Sequence, residues 1–187
     1  MKVCKIEDLI GKKALIKGEV GAGKTQYTES LLLEAIKMGL INDTTVIDMA
    51  PEMAFFGGRQ IGGKMKIKSV FPSLRYLTDN EIAPPRIHGR TKEEVLEIAN
   101  SNAIKIGTLI KCFLERKTPI LVINDLTIFL HAGDLRLIMN AISEAKTCVL
   151  NAYSGKMLLN DKGSGISERE AALLKKIEEE MDLVIIL

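Results

Sequence analysis

Eight consecutive residues, Gly18-Glu19-Val20-Gly21-Ala22-Gly23-Lys24-Thr25, carry the sharpest chemical signal in the chain. They match the spacing G-x-x-x-x-G-K-[ST], in which each residue type has a physical task. Glycines let the backbone curl until successive N–H groups point inward at an anion. A helix starting at Lys24 offers further free N–H groups and the positive end of its dipole to the same anion. The Lys24 ammonium can then reach the β- and γ-oxygens of a triphosphate, and the Thr25 hydroxyl can ligate Mg²⁺. The loop, with Gln26 directly behind it, is therefore expected to bind nucleotide phosphates, with ATP and Mg²⁺ as the expected cofactors.

Other candidate groups stand where apolar runs end. Ile120-Leu121-Val122-Ile123-Asn124-Asp125 is a strand pattern leading to an acid, and Asp125 is expected to face the same Mg²⁺ through water. The run 147–150 leads to Asn151, whose amide is expected to sense the γ-phosphate or orient water. Val46-Ile47-Asp48-Met49-Ala50-Pro51-Glu52 supplies two more acids, with Glu52 the expected general base and Asp48 its substitute. The residue after Asp125 is Leu126, so a base beside that acid is missing and must come from elsewhere. Arg59, Arg75, Arg86 and Arg90, with Lys64, Lys66 and Lys68, are candidates to neutralise developing charge. His88 and His131 have no partners at metal-ligand spacing, which argues against a zinc site.

These groups need a scaffold, and the periodicity describes one. Strands are expected at 14–17, 45–48, 120–124, 147–150 and 183–187, separated by amphipathic helical patterns, which predicts an α/β fold with a mainly parallel five-stranded sheet. Thr91-x-x-Glu94 reads as a capping box, and the helix behind it aligns Val95, Ala99, Ala103, Ile106, Ile110 and Phe113 on one stripe. Residues 50–90 break the rhythm. They hold four of the five prolines and the pairs Gly57-Gly58 and Gly62-Gly63, and they read as an irregular insertion over one sheet edge in an otherwise single domain, 1–187. Within it, 65–70 alternates weakly, as a short strand does.

Composition sets the frame. With 187 residues, 47% apolar and 27% charged, the chain suits one soluble globular domain. A net charge of +2 does not call for nucleic acid as a partner. Cys4, Cys112 and Cys148 are too few and too scattered for a disulfide framework. No stretch has the length of a membrane span, and a cytoplasmic location is expected.

With the loop, Asp125 and Asn151 in this order, the sequence resembles P-loop ATPases of the group with an added strand between the two Walker strands, particularly RecA/KaiC-like ATPases. That resemblance implies a three-layer P-loop NTPase fold in which the strand before Asp125 is separated from the P-loop strand by one strand, 147–150. It also implies Mg²⁺-dependent ATP hydrolysis, a glutamate supplied near the end of 45–48, and a protein partner or second copy of the chain. Glu52 stands further beyond its strand than that group places its glutamate, and 53–90 matches nothing in it. The competing reading is a small-molecule kinase whose insertion forms a lid, with the Walker strands paired directly. A slowly hydrolysing regulator is a third, and the absence of an N-K-x-D sequence disfavours a GTPase.

Lys24→Ala is expected to abolish tight triphosphate binding, because no other side chain in the loop carries a positive charge. Isothermal calorimetry on the folded variant checks this, and parent-like ATP affinity would overturn the phosphate-loop reading.

Overall fold

In a computed structural model the described residues are 4–56, 59–61 and 63–187, with the backbone alone for 54–56 and 59–61. In chain order the elements are α1 (Ile6–Leu9), β1 (Lys13–Gly18), α2 (Lys24–Lys37), β2 (Thr44–Asp48), β3 (Ala54–Phe56), β4 (Arg59–Ile61), α3 (Ile67–Val70), β5 (Arg75–Thr78), α4 (Pro85–His88), α5 (Lys92–Glu115), β6 (Ile120–Asn124), α6 (Thr127–Leu130), α7 (Leu135–Glu144), β7 (Thr147–Tyr153), α8 (Ile166–Glu178) and β8 (Leu183–Ile186). The main sheet has six strands in the order β5-β2-β6-β7-β1-β8. Every neighbouring pair in it is parallel. β3 and β4 form a separate antiparallel hairpin.

The alternation along each strand explains the layers. Ala14 and Ile16 of β1 and Val149 of β7 pack with Ile6, Leu31 and Ala35, on the side of α1 and α2. Val46 of β2 and Val122 of β6 pack with Leu32, Met65 and Ile67 on that same side. Their strand neighbours Leu15, Ile47, Leu121, Ile123 and Leu150 point the other way, into a larger core with Ile106, Phe113, Ile138 and Ile177 from α5, α7 and α8. Helices thus cover both faces, so the central strands are apolar on both sides, as a parallel sheet requires.

The five expected strands are all present, and β7 does separate β6 from β1. The count of five is corrected to six, because 75–78, inside the supposed insertion, adds to the edge as β5, with Thr45↔Arg75 and Asp48↔Thr78 in register. Residues 67–70 form a helical turn rather than the expected strand. Ile67 is buried there against the α2 side, whereas Lys68, Ser69 and Val70 are exposed. β7 runs to Tyr153, three residues past its expected end. Thr91 does cap α5, accepting the Glu94 N–H at 3.2 Å.

One buried amide ties residues 79–85 to this frame. Asn102 Nδ2 donates to the Ala83 carbonyl at 2.7 Å, and the Ala83 N–H donates back to Asn102 Oδ1 at 3.1 Å. Asn102→Ala strands both backbone groups of Ala83, and a loss of about 2 kcal/mol is expected, given that a buried unpaired polar group costs ~1–3 kcal/mol. Urea unfolding monitored by circular dichroism measures it.

Candidate functional site

β1 enters the glycine loop and α2 leaves it. Gly21 and Gly23 have φ of 76° and 86°, a left-handed backbone that a side chain would resist. Gly23 is the N-cap of α2, whose first residues are Lys24, Thr25 and Gln26. The helix therefore opens directly beneath the loop, with its first N–H groups free of intrahelical partners. The Ala22 N–H folds back onto the Glu19 carbonyl at 3.2 Å. Lys24 Nζ rests on the same carbonyl at 2.7 Å. Burial lowers the Lys24 pKa, opposed by the charges of Asp125 and Glu19. The ammonium is thus partly desolvated within reach of two carboxylate charges, Asp125 and Glu19.

Glu19 braces the loop from outside. Its carboxylate accepts the N–H groups of Val20 at 2.8 Å, Lys156 at 2.7 Å and Met157 at 3.3 Å. Burial alone would raise its pKa, but these donors outweigh it and the net shift is downward. A side chain at Gly155 would force the Glu19 carboxylate to move, because a Cβ there would lie 2.2 Å from it.

The three strand-end polar residues meet in one row on the α2 face. Asn124 Oδ1 accepts from the Thr25 hydroxyl at 3.3 Å and from Asn151 Nδ2 at 2.8 Å. Asn124 Nδ2 donates to Asp48 Oδ1 at 2.8 Å. Asn151 Nδ2 also donates to Thr28 Oγ1 at 3.0 Å, on the next turn of α2. Asp48, Asn124 and Asn151 are all buried, and their mutual bonds satisfy the groups that burial would otherwise leave costly.

This row engages two of the expected site residues, Asp48 and Asn151. Asp48 accepts four donors: Tyr76 Oη, Asn124 Nδ2, and the N–H groups of Met65 at 2.7 Å and Ala50 at 3.1 Å. Burial still holds its carboxyl above the usual carboxylate range, against the pull of those donors. With both oxygens occupied it forms a joint between β2 and residues 65–76. Asn151 likewise has both amide hydrogens engaged, and its Oδ1 accepts the Asp125 N–H at 2.8 Å. It thereby holds the Asp125 backbone.

Asp125 itself turns out of the sheet with a φ of 57°, rare for a residue bearing a side chain. Two bonds to Asn151 hold that turn, through the Asp125 N–H and through the Leu126 N–H to the Asn151 carbonyl at 3.0 Å. Such an over-determined strained backbone is common at functional sites. Asp125 Oδ1 accepts the Thr127 hydroxyl at 2.8 Å. Burial raises its pKa, with the Thr127 bond and the Lys24 charge opposing.

A cavity of about 470 Å³ collects these groups, with Lys24, Thr25, Gln26, Asp125 and Asn151 on its wall. That volume is in the range of small-ligand sites. Thr25 and Asp125 are oxygen donors of the kind Mg²⁺ takes, with phosphate oxygens and water to complete its shell. Burial disfavours the ionised form of Asp125, a cost that a bound cation would offset, so these residues fit that metal. Lys64 and Lys66, from the segment after β4, add positive charge to the rim. Glu52 is not brought in: its side chain is 69% exposed and pairs with Lys64 at 3.3 Å.

Among the expected arginines, Arg75 closes the end of α5, donating to the carbonyls of Arg116 and of Cys112, the latter at 2.7 Å. Arg90 is exposed, and the side chain of Arg59, with Gly57, Gly58 and Gly62, lies outside the described residues. Arg86 reaches the cavity wall and pairs with Glu170 at 2.7 Å. His131 joins that pair, with Nε2 2.6 Å from the same Glu170 oxygen. Sequence spacing pointed to neither His131 nor Glu170, nor to Asn124 and Tyr76 as partners of the row.

No helix among the described residues is long and apolar enough to cross a membrane. No family model and no curated sequence matches the chain. Among solved structures it is similar to the Pif1 helicase from Candida albicans, at 12% identity and a TM-score of 0.36. That match covers 97% of this chain and 37% of the helicase, so the chain spans little more than a third of the helicase's length. At that level the likeness supports nothing beyond itself, and the site stands on its own geometry.

Proposed function

We propose that this chain is a single-domain, Mg²⁺-dependent P-loop ATPase that hydrolyses ATP to ADP and phosphate. One observation carries the reading. A strand runs into a loop with two left-handed glycines and then a helix whose first two residues are Lys24 and Thr25, and all of this opens into one cavity with Asp125. The loop amides and the α2 dipole favour an anion there. Lys24, Lys64 and Lys66 supply positive charge for the outer phosphates. Thr25 would hold Mg²⁺ directly and Asp125 through water, and the metal would supply charge neutralisation on the β- and γ-oxygens. The placement of β7 between β1 and β6 supports the ATPase reading over the kinase, whose Walker strands should pair directly.

Phosphate release from the purified protein, with ATP and varied Mg²⁺, tests the proposal. Metal-dependent release that Lys24→Ala removes is the expected result. Release only in the presence of a small-molecule acceptor, as phosphorylated acceptor, would favour the kinase.

Asp125→Asn should give a paired signature. Apparent Mg²⁺ affinity in turnover should fall about tenfold or more, as loss of a metal-supporting group typically does. The ligand-free protein should meanwhile become more stable near neutral pH. The buried carboxyl has a raised pKa, so its favourable contribution belongs to the protonated form and is lost as pH rises through that pKa. An amide carries no such charge, and each kcal/mol relieved raises Tm by roughly 2–4 °C in a chain of this size. Thermal melts with and without Mg·ATP read both effects, and a variant less stable than the parent, with unchanged metal dependence, would remove Asp125 from the site.

A further inference from the structure

One wall of the cavity owes nothing to the phosphate loop. His131 lies there, just beyond α6, with Asp125, Thr127 and Arg86 also on the wall. Its side chain is 1% exposed, and Nε2 is 2.6 Å from Glu170 Oε2. Glu170, on α8, is fixed in turn by Arg86, whose Nη2 donates to the same oxygen at 2.7 Å and whose Nε donates to Ser167 Oγ at 3.2 Å. Facing a guanidinium, Glu170 acts as a carboxylate and can only accept, so the proton between it and the ring belongs to Nε2. In the neutral ring that leaves Nδ1 as the lone-pair nitrogen. Nδ1 is one of only two buried side-chain nitrogen or oxygen atoms without a partner among the described residues.

A histidine serving structure alone normally has both ring nitrogens satisfied, because an unpartnered buried acceptor is costly. Here a carboxylate behind the ring orients it and sets the tautomer, and the other nitrogen has no partner, in a residue that lines the cavity. That is the arrangement of a base with its orienting group. The two acids expected for this task are engaged elsewhere: Asp48 accepts four donors, and Glu52 sits in solvent beside Lys64.

We propose that His131 is the general base of the ATPase reaction, with Glu170 and Arg86 as positioning residues. The proposal rests on the ATPase reading above. The water oxygen forms a bond to the γ-phosphorus as the bond from that phosphorus to the β–γ bridging oxygen breaks, and the bond's electron pair leaves with ADP. One water proton passes to His131 Nδ1, and the resulting imidazolium is stabilised by the Glu170 carboxylate across the ring. The proton then returns to the phosphate product, which restores the neutral base.

His131→Ala and His131→Asn are compared with the unaltered chain. ATP binding is followed by calorimetry, folding by thermal melts and turnover by phosphate release, with and without added imidazole. Turnover should fall 10²- to 10⁴-fold, the usual contribution of a general base, while ATP affinity stays within about threefold. Imidazole should restore turnover to His131→Ala in a saturable way, by about tenfold or more. His131→Asn keeps a hydrogen-bonding side chain without basicity, so it should fold and remain slow even if the alanine variant does not fold. Turnover in either variant within about threefold of the parent overturns the assignment. So does joint loss of ATP binding and turnover in both, or absence of imidazole rescue in a folded, ATP-binding His131→Ala. If the unaltered protein binds ATP and releases no phosphate, the ATPase reading itself fails, and this assignment with it.

Discussion

Three adjacent parallel strands carry a polar side chain at the same level and on the same face, and the site depends on how those groups satisfy one another. Asp48, Asn124 and Asn151 lie under α2, where the sheet would otherwise be apolar. Asn124 is the middle member. Its carbonyl oxygen takes Thr25 and Asn151, and its amide nitrogen gives to Asp48. Removing one member of a buried polar network leaves the others unpaired, which costs more than the net value of the bonds themselves. The row therefore fixes the level at which α2 sits on the sheet, and with it the position of the loop that α2 caps.

The same row makes a physical path out of the loop. Thr25 at one end stands where a bound cation would compete for its hydroxyl. Asp48 at the other end holds the Met65 N–H and the Tyr76 hydroxyl, and Tyr76 lies on the edge strand β5. The segment that supplies Lys64 and Lys66 to the cavity rim is thus hung on the network that touches the first turn of α2. A shift of the Thr25 hydroxyl away from Asn124 would be felt at β5 through two hydrogen bonds and one carboxylate.

How much of this the sequence revealed follows the range of the interactions. The glycine loop was legible because strand, glycines and helix start are contiguous, and Asp125 because an unbroken apolar run precedes it. The central strands were legible for the same reason. β5 was not: Arg75-Tyr76-Leu77-Thr78 is half-buried at an edge and has neither the apolar run of a central strand nor clear alternation. The turn at 67–70 is too short for a helical period to declare itself. Asp48 and Asn151 were read as free strand-end groups because their partners, Tyr76, Met65, Asn124 and Thr28, are distant in sequence. Glu170 is 39 residues from His131 and 84 from Arg86, and no spacing rule connects positions so far apart. Those contacts arise only when α4, α6 and α8 converge at one end of the sheet.

The strand order has a temporal side as well. β1 has β7 and β8 as its sheet neighbours, and the register joins Lys13 to Cys148 and Ala14 to Leu183. Closing such long loops carries an entropic penalty that must be met before the contacts reward it, which slows folding. Synthesis brings the glycine loop out of the ribosome well before β7, so its strand waits for more than 100 further residues before that pairing can form. During that interval β2 and β6 can already align through Val46↔Val122. The glycine loop is therefore among the last parts of the sheet to acquire its shape, because β1 gains its neighbour on this side only once β7 has been made.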